Sequence, residues 1–290
     1  MGPAFTRRPL FGLAAATLLA RAVRPAAAAG LPELREVALP GVRLAYRDSG
    51  GDGVPVMLLH ANTGTSASWA PQFEAFAAAG YRVIATDRRG WGGSVAEPGS
   101  GPQPGSVAED LGALVDHLKL PRFHLLGIAG GGFIALDYAA WRPETLRGLV
   151  VAASTGSFSE PEMQQLNRNV AIPGFTELPE PFREIGPSFR AAYPERVAEW
   201  SHAQEAARQK GAPPQPLRTP NTFAKVEGIR TPLLAITASA DLLAPPALMA
   251  RWLKHLPQAE VFNIADAGHS VAMEQPELFN RAVLDFLRRH

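Results

Sequence analysis

The chain has 290 residues, of which 46% are hydrophobic and 19% charged, enough to bury the core of one large α/β domain or two ordinary ones. The net charge is +1, but the first 29 residues hold four arginines and no acid, so the remainder carries −3 and no nucleic-acid partner is expected. The absence of cysteine excludes disulfides and a thiol nucleophile. The seven histidines lack ligand spacing and no nucleotide motif is present, so we expect neither a metal nor a cofactor.

Residues 1–29 have the order of an export signal. Arg7 and Arg8 form a pair typical of twin-arginine signals, and residues 10–20 form an apolar stretch too short to span a bilayer. The alanines at 26–29 then offer small-residue cleavage sites, although an Ala-rich anchor or a disordered tail is the alternative. We therefore expect a periplasmic or secreted protein that begins near Gly30 or Leu31 and has no stable membrane insertion after cleavage.

The next part of the chain alternates short apolar runs with helical patterns, as in a parallel sheet covered on both faces. Ser106 is a candidate N-cap for one of the helices. The predicted elements are a hairpin at 37–48, strands at 54–59, 81–86, 123–126 and 149–153, and helices at 69–79, 106–120 and 133–141.

The alternation stops at residues 156–228, which hold ten of the 27 prolines and no β-rich run. It resumes with strands at 233–237 and 261–264 and helices at 246–256 and 276–289. The sequence therefore predicts a mostly parallel, doubly wound core made of residues 30–155 and 229–290. Residues 156–228 are expected to form a helical lid over the edge where such sheets bind ligands.

The chain turns sharply from strand to helix at Gly127-Ile128-Ala129-Gly130-Gly131. This pattern is that of the G-x-S-x-G turn that presents a serine nucleophile, with Ala129 at the nucleophile position. A simple tight turn or a phosphate cradle is the alternative interpretation. An alanine cannot form a covalent intermediate.

Two further polar residues follow strands, in the chain order of a Ser-Asp-His triad. Asp241 comes after the strand at 233–237, and His269 comes after the strand at 261–264. Asp266 is a rival acid, although its position suits a turn. Separately, each residue would more often serve a turn, a cap or a surface loop. Together they predict a histidine base that is oriented by an acid.

An oxyanion hole would use two backbone N–H groups. One is that of Gly130, directly after the nucleophile position. The other is expected from the loop after the early strand, at Asn62, with Ala61 or Thr63 as alternatives. The side chain of Asn62 is a further possible donor, or it forms an Asx turn.

The sequence resembles the α/β-hydrolase superfamily, in the branch of epoxide hydrolases, haloalkane dehalogenases, C–C hydrolases and small esterases. The resemblance covers about residues 35–155 and 229–290, and its motifs are specific for the fold but weak for the substrate. The departure is Ala129, where these enzymes have Ser or Asp. The matching segments are His60-Ala61-Asn62 (H-G-x), residues 87–94 (D-x-R-G-x-G-x-S), and Gly268-His269-Ser270 with Glu274 and Pro276.

The resemblance implies an α/β-hydrolase fold and a hydrolase of a small apolar ester or carbonyl compound. Because Ala129 departs from the family, we expect the reaction to proceed without an acyl-enzyme if this residue is natural. Trp200 and Phe158 of the lid, with Leu242, are expected to contact the substrate. Two alternatives stay open: a lyase or cofactor-free reaction that uses the same base, and a small-molecule binding protein. The sequence does not distinguish a natural Ala129 from a substitution introduced to trap a ligand, and it does not predict the oligomeric state.

Overall fold

A computed structural model describes residues 30–290; the predicted export signal lies outside the described residues. Nine strands form one sheet. They are β1 (Arg35–Leu39), β2 (Val42–Asp48), β3 (Pro55–Leu59), β4 (Arg82–Thr86), β5 (Val95–Ala96), β6 (Phe123–Ile128), β7 (Leu146–Ala152), β8 (Leu233–Ala238) and β9 (Glu260–Ile264).

The order of the strands in the sheet is β1-β2-β4-β3-β6-β7-β8-β9, and β5 pairs with β2. β2 is antiparallel to β1, β4 and β5, whereas the pairings from β4 through β9 are parallel. Parallel neighbours end at the same edge of the sheet, so the residues that follow β3, β6, β8 and β9 are brought together there.

Eleven α-helices are present in the described residues. They are α1 (Ala70–Ala78), α2 (Val107–His117), α3 (Gly130–Trp141), α4 (Pro161–Val170), α5 (Glu180–Glu184), α6 (Pro187–Ala192), α7 (Pro194–Ala207), α8 (Phe223–Glu227), α9 (Pro246–Leu253), α10 (Val271–Glu274) and α11 (Pro276–Leu287). Ser106 caps α2 as predicted, since its side chain accepts a hydrogen bond from the N–H of Glu109.

The sheet is covered on both faces, as its fully buried strands require. Successive residues of β6 point to opposite faces of the sheet, so Leu125 and Leu126 belong to separate apolar clusters. One cluster includes the apolar faces of α2, α3 and α9, and the other includes those of α1 and α11. The doubly wound, mostly parallel sheet predicted from the sequence is therefore confirmed.

Five of the helices, α4 to α8, lie between β7 and β8 in the chain; we call residues 161–227 the helical insert. The helical insert is anchored to the core at buried polar contacts. Lys225 of α8 pairs with Asp137 of α3, with Nζ and Oδ1 2.5 Å apart, and Asn221 donates to the carbonyl of Phe133 at 3.0 Å. Within residues 30–290, no helix has both the length and the hydropathy needed to cross a bilayer.

Candidate active site

The turn between β6 and α3 has the backbone of a nucleophile elbow. Ala129 adopts φ 51° and ψ −115°, a backbone conformation that residues other than glycine rarely adopt. Its N–H donates to the carbonyl of Ala152 at 2.9 Å, and its carbonyl accepts from Ser154 Oγ at 2.8 Å. The strained turn is therefore fixed on both sides of Ala129, although the side chain is a methyl group.

The glycines around Ala129 are required by close contacts. A Cβ on Gly127 would lie 2.2 Å from the carbonyl oxygen of Gly131, and one on Gly131 would lie 2.2 Å from that of Leu59. On Gly130, a Cβ would lie 2.5 Å from Oδ1 of Asn62. The backbone of the elbow consequently packs directly against the loop after β3, where the second oxyanion donor was predicted.

Asp241 and His269, from the loops after β8 and β9, form a buried pair. His269 Nδ1 lies 3.0 and 2.9 Å from the two carboxylate oxygens of Asp241. The N–H groups of Leu243 and Ala244 donate to Asp241 Oδ1, each at 2.8 Å. This leaves His269 Nε2 without a hydrogen-bond partner among the described residues, and His269 lines a cavity. The rival acid, Asp266, accepts from Ser188 instead.

The charge of this pair is set by its surroundings. Burial disfavours a charged imidazole, but Asp241, followed by Glu184 and Glu274, outweighs that cost and raises the pKa of His269 to about 9. Burial likewise disfavours ionised Asp241, yet His269 and two backbone N–H groups hold the pKa of this carboxyl below its usual value. At neutral pH the site therefore contains an imidazolium–carboxylate pair.

The backbone N–H groups of Asn62 and Gly130 donate to no acceptor within residues 30–290. The loop that carries Asn62 is held by the loop after β4. Trp91 Nε1 donates to the carbonyl of Asn62 at 2.8 Å, and Arg88 Nη2 donates to its side-chain oxygen at 2.9 Å. His60, fully buried and with its pKa held well below the usual value by burial, accepts from the N–H of Arg88 at 3.1 Å. The contacts to Trp91 and Arg88 therefore fix the loop that carries Asn62, while the two N–H groups remain without an acceptor among the described residues.

Two cavities flank the elbow. The first, of about 320 Å³, contains His269 and Ile128, and Trp69, Trp200 and Met273 give it an apolar wall. We call it the histidine-side cavity. The second, of about 540 Å³, contains Asn62 and Gly130, and we call it the amide-side cavity. Thr63, next to Asn62 in the chain, lines both cavities.

Two of the three predicted substrate contacts, Phe158 and Leu242, lie outside both cavities. Phe158 is 3% exposed because it packs between Phe223 and Trp252, and it lines neither cavity. Leu242 is 41% exposed, because the loop that turns Asp241 toward His269 points the next side chain to solvent. Trp200 does line the histidine-side cavity.

The sequence interpretation assigned no role at the site to the charged residues that line the cavities, three of which matter most below. Glu184 of the helical insert lines the histidine-side cavity, with Oε2 buried and unpaired, and Arg88 and Arg208 line the amide-side cavity. Arg88 lies inside the D-x-R-G segment, next to the arginine that the motif specifies, and that position was the available signal. The described residues contain no group of three or more histidine and carboxylate side chains placed to hold a metal ion.

Comparisons with known proteins bear on the family and the fold of the chain. A family model described as "Alpha/beta hydrolase family" matches residues 56–282. A 2-hydroxy-6-oxononadienedioate/2-hydroxy-6-oxononatrienedioate hydrolase of Burkholderia vietnamiensis is 27% identical over 272 residues, 86% of this chain and 92% of that protein.

Two solved structures are also similar. A thermophilic esterase from Thermogutta terrifontis has a TM-score of 0.74 and 27% identity, covering 88% of this chain and 98% of that one. An N-acyl homoserine lactone degrading enzyme has a TM-score of 0.70 and 26% identity, covering 87% and 100%. These matches confirm the predicted fold class.

Proposed function

Because the chain belongs to the alpha/beta hydrolase family, we propose that it hydrolyses a small ester or related carbonyl compound by direct attack of water. In this reaction the Nε2 of His269 removes a proton from water, Asp241 orients the ring, and the N–H groups of Asn62 and Gly130 bind the oxygen of the tetrahedral intermediate. The protein forms no covalent bond to the substrate through the elbow, because the side chain of Ala129 is a methyl group with no nucleophilic atom.

The observation that carries this proposal is that the other predicted site groups around Ala129 are in place. The hydrogen bonds between Asp241 and His269, the strained elbow and the two unengaged amides are all present. Serine hydrolases stripped of triad members retain roughly 10³–10⁴-fold catalysis from the oxyanion hole and binding. A water molecule on His269 would add general-base catalysis to that residual rate.

The relatives support the reaction class. An esterase, a C–C hydrolase and a lactone-degrading enzyme share the fold, and all three act on carbonyl compounds. Residues 156–228, which we propose act as a lid, supply Trp200 to the apolar wall of the histidine-side cavity. We propose that the apolar part of the substrate lies against this wall.

The test is hydrolysis of p-nitrophenyl acetate by the protein with its sequence unchanged, called the natural protein below, and by His269→Ala. General-base catalysis contributes about 10²–10⁴-fold, so the variant should lose activity by that factor. His117→Ala, an exposed histidine at the end of α2, is the matched control and should retain the rate. Equal rates for the natural protein and His269→Ala would contradict the proposal.

The second arm of the test is the covalent state of the protein. Mass spectrometry during turnover should show the natural protein unmodified and Ala129→Ser carrying one acetyl group, since the serine would restore the acyl-enzyme route. An acetylated natural protein would exclude direct water attack. A ligand that is bound and recovered unchanged by the natural protein would instead favour a binding protein.

A further inference from the structure

Two guanidinium groups face the amide-side cavity. Arg88 comes from the loop after β4, and Arg208 follows α7 of the helical insert. Both lie on the indole of Trp91, with their Cζ atoms 4.2 and 5.2 Å from the ring centroid. The loops that carry them are tied together, since the N–H of Gly92 donates to the carbonyl of Ala207 at 2.8 Å. The cavity therefore presents two positive charges from two separate parts of the fold.

Arg88 is a buried cation without a counter-charge. It is 7% exposed, its Nη2 donates to Asn62, and its Nε is buried without a partner. Within residues 30–290, no carboxylate forms an ion pair with Arg88 or Arg208. Burial and the charge of Arg208 lower the pKa of Arg88 to about 10, which still leaves it charged at neutral pH. An unpaired buried charge is costly, so an anionic partner would be stabilising.

The neighbouring residue, Arg89, shows how a buried arginine is usually stabilised, namely by an ion pair with a carboxylate. Arg89 is 3% exposed, and it pairs with Asp110 through Nη2 at 2.6 Å and Nε at 3.1 Å. The carboxylate that lines the amide-side cavity, Glu180, is engaged by Arg183 at 3.7 Å. The chain thus neutralises the adjacent arginine fully but leaves the positive charge at the cavity available to a ligand.

The position of this charge relates it to the predicted reaction centre. Arg88 donates to Oδ1 of Asn62, and that oxygen lies against Gly130. An anion held by Arg88 would therefore be separated from the two oxyanion donors by a single amide side chain. This arrangement suits a molecule with a carboxylate a few bonds away from the carbonyl carbon.

We propose that the amide-side cavity binds a carboxylate group of the substrate through Arg88 and Arg208. The substrates are then small carbonyl compounds with an apolar end and an anionic end, such as monoesters of short dicarboxylic acids. The location of the reacting carbonyl rests on the proposed function, but carboxylate binding itself does not. Arginine suits this role because its planar guanidinium binds a carboxylate through two parallel hydrogen bonds.

Calorimetric binding of two ligands of equal size tests the proposal without any turnover. Succinamate carries one carboxylate, and succinamide is its neutral counterpart. The natural protein should bind succinamate about 10-fold or more tightly, as expected for hydrogen bonds to a charged group. Arg88→Met and Arg208→Met should each reduce this preference. Arg168→Met, which removes the same charge from the outside of α4, should retain it.

Equal affinity for the two ligands, or undetectable succinamate binding at millimolar concentration, would overturn the proposal. So would a preference that persists in Arg208→Met, an exposed position that remains testable if Arg88→Met does not fold. Hydrolysis of dimethyl succinate, measured on the same samples, separates the two ideas. Hydrolysis without a carboxylate preference contradicts the anion site alone. A carboxylate preference without hydrolysis contradicts the proposed reaction alone.

Discussion

Ala129 holds a conformation that usually serves a nucleophile. A non-glycine residue in such a region of φ and ψ costs of the order of 1–3 kcal/mol, and the fold retains it through hydrogen bonds to Ala152 and Ser154. A methyl side chain alone gives no reason for the backbone of Ala129 to adopt this strained conformation. The elbow does, however, place Gly130 at the cavity, so the proposed oxyanion donor would depend on the elbow even without a serine.

The charge of His269 gives a prediction about pH. A base must be neutral to accept a proton, and with a pKa of about 9 only about 1% of the rings are neutral at pH 7. We therefore expect kcat/KM for p-nitrophenyl acetate to rise about 10-fold per pH unit from pH 7 and to level off above about 9, after correction for spontaneous hydrolysis. A flat profile between pH 7 and 9 would contradict the assignment of His269 as the base.

Glu184 provides a second test of the charge on His269. Its carboxylate is one of the groups that raise the pKa of His269, with Asp241 and Glu274. Glu184→Gln should move the midpoint of the pH profile to lower pH and increase the rate at pH 7. Glu199→Gln is the matched control, because Glu199 lines the same cavity but is exposed. A midpoint that shifts equally in both variants would indicate a general change of charge and not a specific contact.

At the level of elements, the loops after the strands are fixed by buried polar residues of the family motifs. Asp87 accepts from the N–H groups of Ser66 at 2.7 Å and Gly93 at 2.9 Å. Ser94 donates to the carbonyl of Asp87 at 2.7 Å. These contacts hold the loop after β4 in place, and that loop in turn holds Asn62. Asp87 and Ser94 of the motif are therefore structural, whereas its first variable position, Arg88, faces the cavity.

Glu274 connects the helical insert to the loop that carries His269. Its Oε2 accepts from Gly186 at 2.9 Å and from Gly268 at 2.8 Å, and the carboxyl is buried. Glu274→Ala would leave two buried N–H groups unpaired. We expect it to lower the free energy of unfolding by about 2–4 kcal/mol in urea denaturation. Glu277→Ala, at an exposed site of α11, should change it by about 0.5 kcal/mol or less. Similar losses in both variants would contradict this role.

For the whole molecule, the sequence predicted the strands and the elbow, because both depend on the order of neighbouring residues. The period of apolar residues located β3, β6 and β8 to within two residues, and the glycines located the elbow. Contacts between distant segments could not be predicted in the same way. Phe158 lies outside both cavities because it packs against Phe223 and Trp252, which are distant in the sequence. Arg88 was missed because its importance lies in lacking a carboxylate partner, which only the folded structure reveals.

Export is a property of the whole chain, and we propose that it depends on the pair Arg7-Arg8. A protein without cysteine has no disulfide to form outside the cytoplasm, so export after folding suits its composition. In a bacterium with a twin-arginine translocase, replacing both arginines by lysine should retain the uncleaved chain inside the cell. The natural chain should be recovered outside the cytoplasm, with an N-terminus near Gly30 by mass spectrometry. Replacing Arg21 and Arg24 by lysine is the matched control and should leave export intact. If both double variants are exported alike, the twin-arginine assignment is wrong, and a natural chain that keeps Met1 inside the cell would contradict export itself.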